Sequence, residues 1–374
     1  MAAELQGNLI RQFRDAVNEK EFVYFSYKDV DGKSHWNAIC SCMDWITVAI
    51  DSINLMGNLP SDINSKVMHL HTLISNIDII NEAITTLHTV FFNTGKRVSP
   101  FKNNQTVYNG EEGKDDNDYF SELRARFGAH PVNLRDKQSK EQHFASWPYD
   151  SLDGDCDLEV TLYSNVVSGK DKRIKLNESE LLQFVQIRYK YLEQLVLEIE
   201  KQYGGFVAHC QSNQIERKDD ILSQLDILER ESEKRLDSEY IEHPIKVIRD
   251  LFRVTINDIS FHEKEMKFKD DLKGFVEEIY DYLQMGKFDE ELKLDRLLST
   301  KQLYKLDNYS TGKLMSCLLS KRSDDSLLNY YFKKLNEFDQ WGYKFDIHDG
   351  FELTLLKVYL LDRELAEKHN SDSN

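Results

Sequence analysis

Apolar residues return three and four positions apart over most of this chain, the period that gathers them on one face of an α-helix. Leu9, Ile10, Phe13 and Val17 predict a short first helix, and Ile39, Met43, Ile46, Ile50 and Ile53 predict another from Trp36 to about Asn54. Between them, "EFVYFSYKDVDGK" alternates aromatic residues ahead of Asp31-Gly32 and reads as either a small hairpin or a loop. After Pro60 a longer helix is expected from Asp62 to about Phe92, through Val67, Leu70, Leu73, Ile77, Ile80, Ile84 and Leu87. The polar stretch from Asn93 to about Asp116 has the length of a functional or disordered loop. A further helix then runs from near Asp118 to His130, where Pro131 disfavours helical geometry in the residue before it.

Beyond that proline the period changes. Leu158, Val160 and Leu162 alternate with Glu159, Thr161 and Tyr163, and Ser168-Gly169-Lys170-Asp171 supplies a turn before Arg173 to Leu176, so a β-hairpin is inserted over 144–176. Asn177 with Glu180 opens the next helix, which passes through Leu181, Val185, Leu192, Val196 and Ile199 and is expected to stop at Gly204-Gly205. From Cys210 onward the pattern is again helical. A charged helix covers Arg217 to Asp237, Pro244 sits at a helix start, and one apolar stripe joins Phe268, Leu272, Phe275, Ile279 and Leu283. Two more stripes follow, Leu327, Tyr331, Phe332, Leu335 and Phe338, then Leu356, Tyr359 and Leu365. The expected fold class is all-α, mainly helical: residues 1–35 an N-terminal helix and the undecided segment, 36–205 a helical bundle with its hairpin insertion, and 210–374 a separate α-helical domain.

Composition supports this outline. The chain has 374 residues with only 5 Pro and 16 Gly, and 40% hydrophobic residues are enough for well-packed cores. Its formal charge of −17 opposes nucleic acid at long range, so any such contact must come from a local basic patch. Five cysteines form no CxxC pair, which points to reduced thiols and no structural zinc. The N-terminal residues carry early charges, and no run of about 18 uninterrupted apolar residues occurs, so a cytoplasmic protein off the membrane is expected. Asp153, Asp155 and Asp157 have the spacing of a calcium loop, but its sixth place holds Leu158 and its twelfth Ser164, which excludes that reading. His69 and His71 lie two apart on a helix, hence on different faces, and make no metal pair. No metal or cofactor is expected.

One stretch carries candidate chemistry. "YFSELRARFGAHP" sets Arg124 and His130 with five residues between them at a helix end, and the segment from Ser121 to Ala145 is net positive in an acidic protein. With helices before it and another after the insertion, the region from about Trp36 to Tyr203 resembles the HEPN superfamily (higher eukaryotes and prokaryotes nucleotide-binding domain). That family is an α-helical bundle, and many members are metal-independent ribonucleases of toxin and antiviral defence systems. Its motif is an arginine, four to six residues, then a histidine. The resemblance implies Arg124 and His130 as catalytic residues, RNA as substrate, a homodimer and, in some members, a regulatory protein partner. Two features depart from the family: Ala125 follows the motif arginine where Asn, Asp or His is usual, and Val132 stands where adenylylated members carry tyrosine.

The residue types suit the reaction. Cleavage at a ribose requires a proton taken from the 2′-hydroxyl, one given to the leaving oxygen, and charge stabilised on the phosphorane. Histidine titrates near neutrality, and the arginine fork matches phosphate. Arg126 is a further phosphate contact, and His143 and Trp147 are candidates to stack on an unpaired base. The alternative is a non-catalytic helical interaction or regulatory protein, in which Arg124 and Arg126 merely complement a helix dipole. A second Arg-x5-His spacing, Arg363 to His369, falls in a polar tail expected to be disordered.

Overall fold

The computed structural model describes residues 5, 7–19, 21–108, 114–129, 134–135, 142–151, 154–235, 239–288, 292, 297–322 and 326–372. The protein is mainly α-helical with a small antiparallel sheet, and it divides into two compact units, Met1–Gly204 and Gly205–Asn374.

The first unit is built on α3 (His35–Leu55) and α4 (Ile63–Phe91), started by Ser34 and Asp62, whose side chains accept from Asn37 N–H and Ser65 N–H. Such caps satisfy amide donors that the first helical turn leaves open. The expected stripes are the buried faces: Ile39, Ile46, Ile50, Leu70, Ile77, Ile80, Ile84 and Leu87 are fully enclosed. α1 (Gly7–Asn18) packs on α3, and α6 (Glu178–Lys190) packs on α4.

The undecided segment is neither hairpin nor loop alone. Glu21–Tyr27 forms helix α2, and Asp31-Gly32 makes a tight turn with both residues at positive φ, closed by reciprocal Val30 and Lys33 hydrogen bonds of 2.9 and 3.1 Å. The aromatic run is helical because its rings have partners: Phe22 lies against Tyr203, Tyr27 against Phe91, and the Tyr27 hydroxyl donates to Gln202 at 2.7 Å. The polar stretch after α4 is tied down at both ends of its described part. The buried Asp116 carboxylate accepts from the amides of Thr106, Val107 and Tyr108, and Asn117 donates to Phe101 O at 3.1 Å.

The expected hairpin is β3 (Leu158–Ser164) paired with β4 (Lys172–Leu176), in register Val160 with Ile174. Two further strands extend it, β1 (Leu134–Arg135) and β2 (Gln142–Ala145), in the order β1-β2-β3-β4. Leu158, Val160, Leu162 and Leu176 turn inward and are buried. The turn needs glycine at 169, where a Cβ would stand 2.2 Å from Ser164 Oγ and 2.9 Å from Val166 O. Lys66 on Asp150 at 2.6 Å and His69 on Glu178 at 2.7 Å join α4 to the sheet's flanking segments.

The helix expected to stop at Gly204-Gly205 does not stop there: α7 runs Leu192–Ser212. Each helical glycine costs about 1 kcal/mol against alanine. The end of the helix is secured instead by Arg235, which donates to the carbonyls of Cys210 at 2.8 Å and Asn213 at 2.7 Å.

In the second unit α8 (Ile221–Arg235), α9 (Glu239–Phe252) and α10 (His262–Met285) share a core with α14 (Phe351–Asp372). Between α10 and α14 come α11 (Lys301–Leu306), α12 (Asn308–Leu319) and α13 (Leu328–Phe338). The stripe Phe268, Leu272, Phe275, Ile279 and Leu283 is buried as the spacing predicts. Pro244 lies inside α9 rather than opening it, and Ile241, Ile245 and Ile248, all fully buried, hold the helix through the missing donor. His369, expected in a disordered tail, belongs to α14, and Arg363 is fixed by Asp271 at 2.7 Å with its guanidinium over the Phe268 ring.

Among the described residues, α3 is the one helix long and apolar enough to cross a membrane by length and composition, with a mean hydropathy of 1.3. Asp44 and Asp51 lie on its outer face, and its inner face belongs to the bundle core. All five cysteines are free thiols.

Candidate active site

The helix that leads into the motif is started by Asp115, whose carboxylate accepts from Asp118 N–H at 2.8 Å, and α5 spans Asp116–Leu123. It does not continue as an ordinary helix to His130. Arg124–Ala129 is a π-helical turn, a wider winding that is uncommon and recurs at functional sites. Phe120 and Leu123 anchor α5 in the core, with Phe120 stacked on Phe184 at 4.5 Å, and Phe127 is buried within the π turn. His130 lies outside the described residues.

The π turn parts the two arginines. Arg124 reaches α4, where its Nε sits 2.9 Å from Asp78 Oδ2, and its side chain remains half-exposed. Arg126 goes to Glu122, a carboxylate that also takes Lys114, and lines a cavity bounded by β4 and the start of α6. Burial raises the Asp78 carboxyl pKa; Arg124 and Arg97 pull it back, and Glu82 adds to the rise. Asp78 thus holds the motif arginine by its Nε while half of that side chain's surface stays exposed, and a guanidinium fork is the shape that matches a phosphate.

The two candidate stacking residues are also separated. His143, on β2, is buried at 4% exposure, whereas Trp147 beyond the strand is 71% exposed. A ring enclosed in the sheet offers no open face to a base, so of the two only Trp147 presents one. Among the described residues no group of three or more His, Cys, Asp or Glu side chains is placed to hold a metal ion.

Sequence reading overlooked Asp78, a polar residue within an apolar helix whose signal is only that break in the stripe. It also overlooked Arg188, fully buried on α6. This guanidinium lies 3.2 Å from the Phe184 ring centroid and 4.6 Å from that of Phe101, and donates to Asn117 at 2.8 Å and Asn81 at 3.3 Å. Burial lowers its pKa to about 10, against attraction from Asp116.

On the ribonuclease reading of this motif, Asp78→Asn should lower RNA cleavage by about ten- to a hundredfold, because a catalytic group displaced by an ångström can lose about that much rate. Thermal stability should hardly move, since a partly exposed ion pair contributes about 1 kcal/mol or less. Turnover and melting temperature measured on the same preparation check both halves.

No family model matches this chain, and no curated protein or solved structure matches it.

Proposed function

We propose that this protein is a metal-independent endoribonuclease of defence or toxin type, acting as a homodimer through Arg124 and His130. The observation that carries this reading is the π-helical turn Arg124–Ala129, which presents a half-exposed arginine, anchored by Asp78, directly ahead of the motif histidine. In the reaction the 2′-hydroxyl loses its proton to a histidine and attacks the adjacent phosphate. The bond to the 5′-oxygen breaks, and that oxygen receives a proton from a second histidine, leaving a 2′,3′-cyclic phosphate and a 5′-hydroxyl. One copy supplies one Arg-His pair, so a two-fold dimer that joins two pairs in one cleft supplies both proton-transfer groups. Arginine stabilises the charge that builds on the phosphorane. The second unit senses or regulates, alone or with a protein partner.

Purified protein in EDTA should cleave single-stranded RNA, as read by gel, and leave 3′ ends that resist ligation-based labelling and 5′ ends that a kinase labels without prior phosphatase treatment. A folded preparation that cleaves no RNA would instead favour a non-catalytic interaction protein. That second reading has its own support in Trp45, Val48 and Leu55, which stand exposed along α3, with Met68 exposed on α4.

A further inference from the structure

The cavity that receives Arg126 is about 330 Å³, at the small end of the range for ligand sites. Tyr108 of the loop before α5, and Tyr119, Glu122 and Leu123 of α5, wall one side of it. The π turn contributes Arg126; β4 contributes Arg173 and Lys175, which share one strand face because they are two residues apart; and α6 contributes Asn177 and Glu180 at its first turn. The acidic partners of the strand cations, Glu159 for Arg173 and Asp155 for Lys175, are not part of the wall. Glu122 is shared between Lys114 and Arg126. The first amide of α6 is not open to this space: Glu178 N–H donates to the Asp157 carboxylate at 2.8 Å, and the Asn177 side-chain amide donates to Glu180 at 3.3 Å.

A second observation points to an occupant. Tyr108, which lines the cavity and lies at a tilt against Tyr119 with ring centroids 4.4 Å apart, carries a hydroxyl that is buried without a hydrogen-bond partner among the described residues. A buried polar atom of this kind is rare unless something else satisfies it. The wall is also of mixed sign. Arg126, Arg173 and Lys175 suit a phosphate, but Glu180 and Glu122 would repel a bare anion that filled the space. A ligand with a phosphate at one end and a neutral body rich in hydroxyl and amino donors at the other meets both requirements, with Tyr119 offering a ring beside that body.

We propose that this cavity binds a ribonucleoside monophosphate group, either as a free nucleotide or as the 5′-phosphorylated end of an RNA strand. The site stands independently of the ribonuclease reading, because its readout is equilibrium binding without turnover. Calorimetric titration of the full chain with the four ribonucleoside monophosphates should show at least one binding about tenfold or more tighter than its nucleoside or inorganic phosphate. That affinity should fall as salt rises. Arg173→Gln and Lys175→Gln, on side chains 67% and 43% exposed, should each weaken binding about tenfold while circular dichroism shows the fold retained. Competition by a 5′-phosphorylated pentaribonucleotide, but not by its 5′-hydroxyl form, assigns the site to an RNA end; failure of both to compete assigns it to the free nucleotide. The proposal is overturned if no monophosphate binds at millimolar concentration, if nucleoside binds as tightly as nucleotide, or if both strand variants bind as the wild type does.

Discussion

His130→Ala is expected to cut cleavage of single-stranded RNA by at least about a hundredfold, the lower bound of what a positioned general acid or base contributes. Arg124→Ala should reduce turnover as well, and Arg124→Lys should restore it only in part. A lysine ammonium is a point charge and cannot reproduce the two-pronged contact of a guanidinium on phosphate, nor the Nε bond that Asp78 makes at 2.9 Å. His369→Ala is the internal control. Its spacing from Arg363 is the same as that of the candidate pair, but Arg363 is committed to Asp271 and to the face of Phe268, an arrangement that serves packing in α14. Single-turnover rates for the four variants, with melting temperatures alongside, decide the matter: equal rates for the His130 and His369 variants would reduce the motif to the end of a helix.

The largest effect on stability is expected at Arg188. This side chain is fully buried, wedged between the rings of Phe184 and Phe101, and donates to Asn117, Asn81 and the Phe184 carbonyl. Its charge answers the buried Asp116, which in turn accepts from three amides of the loop before α5. Arg188→Ala would open a cavity and leave the Asp116 carboxylate without its countercharge, and removal of one partner from a buried charged group costs about 3–5 kcal/mol. Arg188→Met keeps most of the volume and should cost less, by the share that packing rather than charge contributes. Urea unfolding followed by circular dichroism separates the two. An Arg188→Ala loss below about 1 kcal/mol would mean that the surrounding polar groups rehydrate freely. Because Asn117 and Asp116 begin the helix that carries Arg124, this variant should also loosen the candidate site.

The two long bundle helices were readable from spacing alone because an apolar stripe of the length of α3 or α4 has one low-energy arrangement, face-down on a neighbour. Their starts are fixed in the structure by capping side chains, Ser34 for α3 and Asp62 for α4. The hairpin of β3 and β4 was readable for the same reason at period two, since a one-residue slip would turn Leu158, Val160 and Leu162 outward. Where the reading erred, local signals were ambiguous and distant partners decided. Aromatic alternation in Phe22 to Tyr27 suits a strand as well as a helix, and the rings of Tyr203 and Phe91 settled it. Gly204-Gly205 is a plausible helix stop, but Arg235, some thirty residues on, supplies the donors that let α7 continue to Ser212.

The sequence by itself determined the helical class, the position of the inserted hairpin and the Arg124 to His130 spacing, because each follows from side-chain periodicity or from residue identity within a few turns. Only the tertiary structure decided how the candidate residues are used. It wound Arg124–Ala129 as a π turn, sent Arg124 to Asp78 and Arg126 to a different cavity, enclosed His143 and left Trp147 exposed. The reason is one of range: periodicity records which face of an element is apolar, whereas the direction of a charged side chain is set by the carboxylate or ring that folding brings to it from elsewhere in the chain.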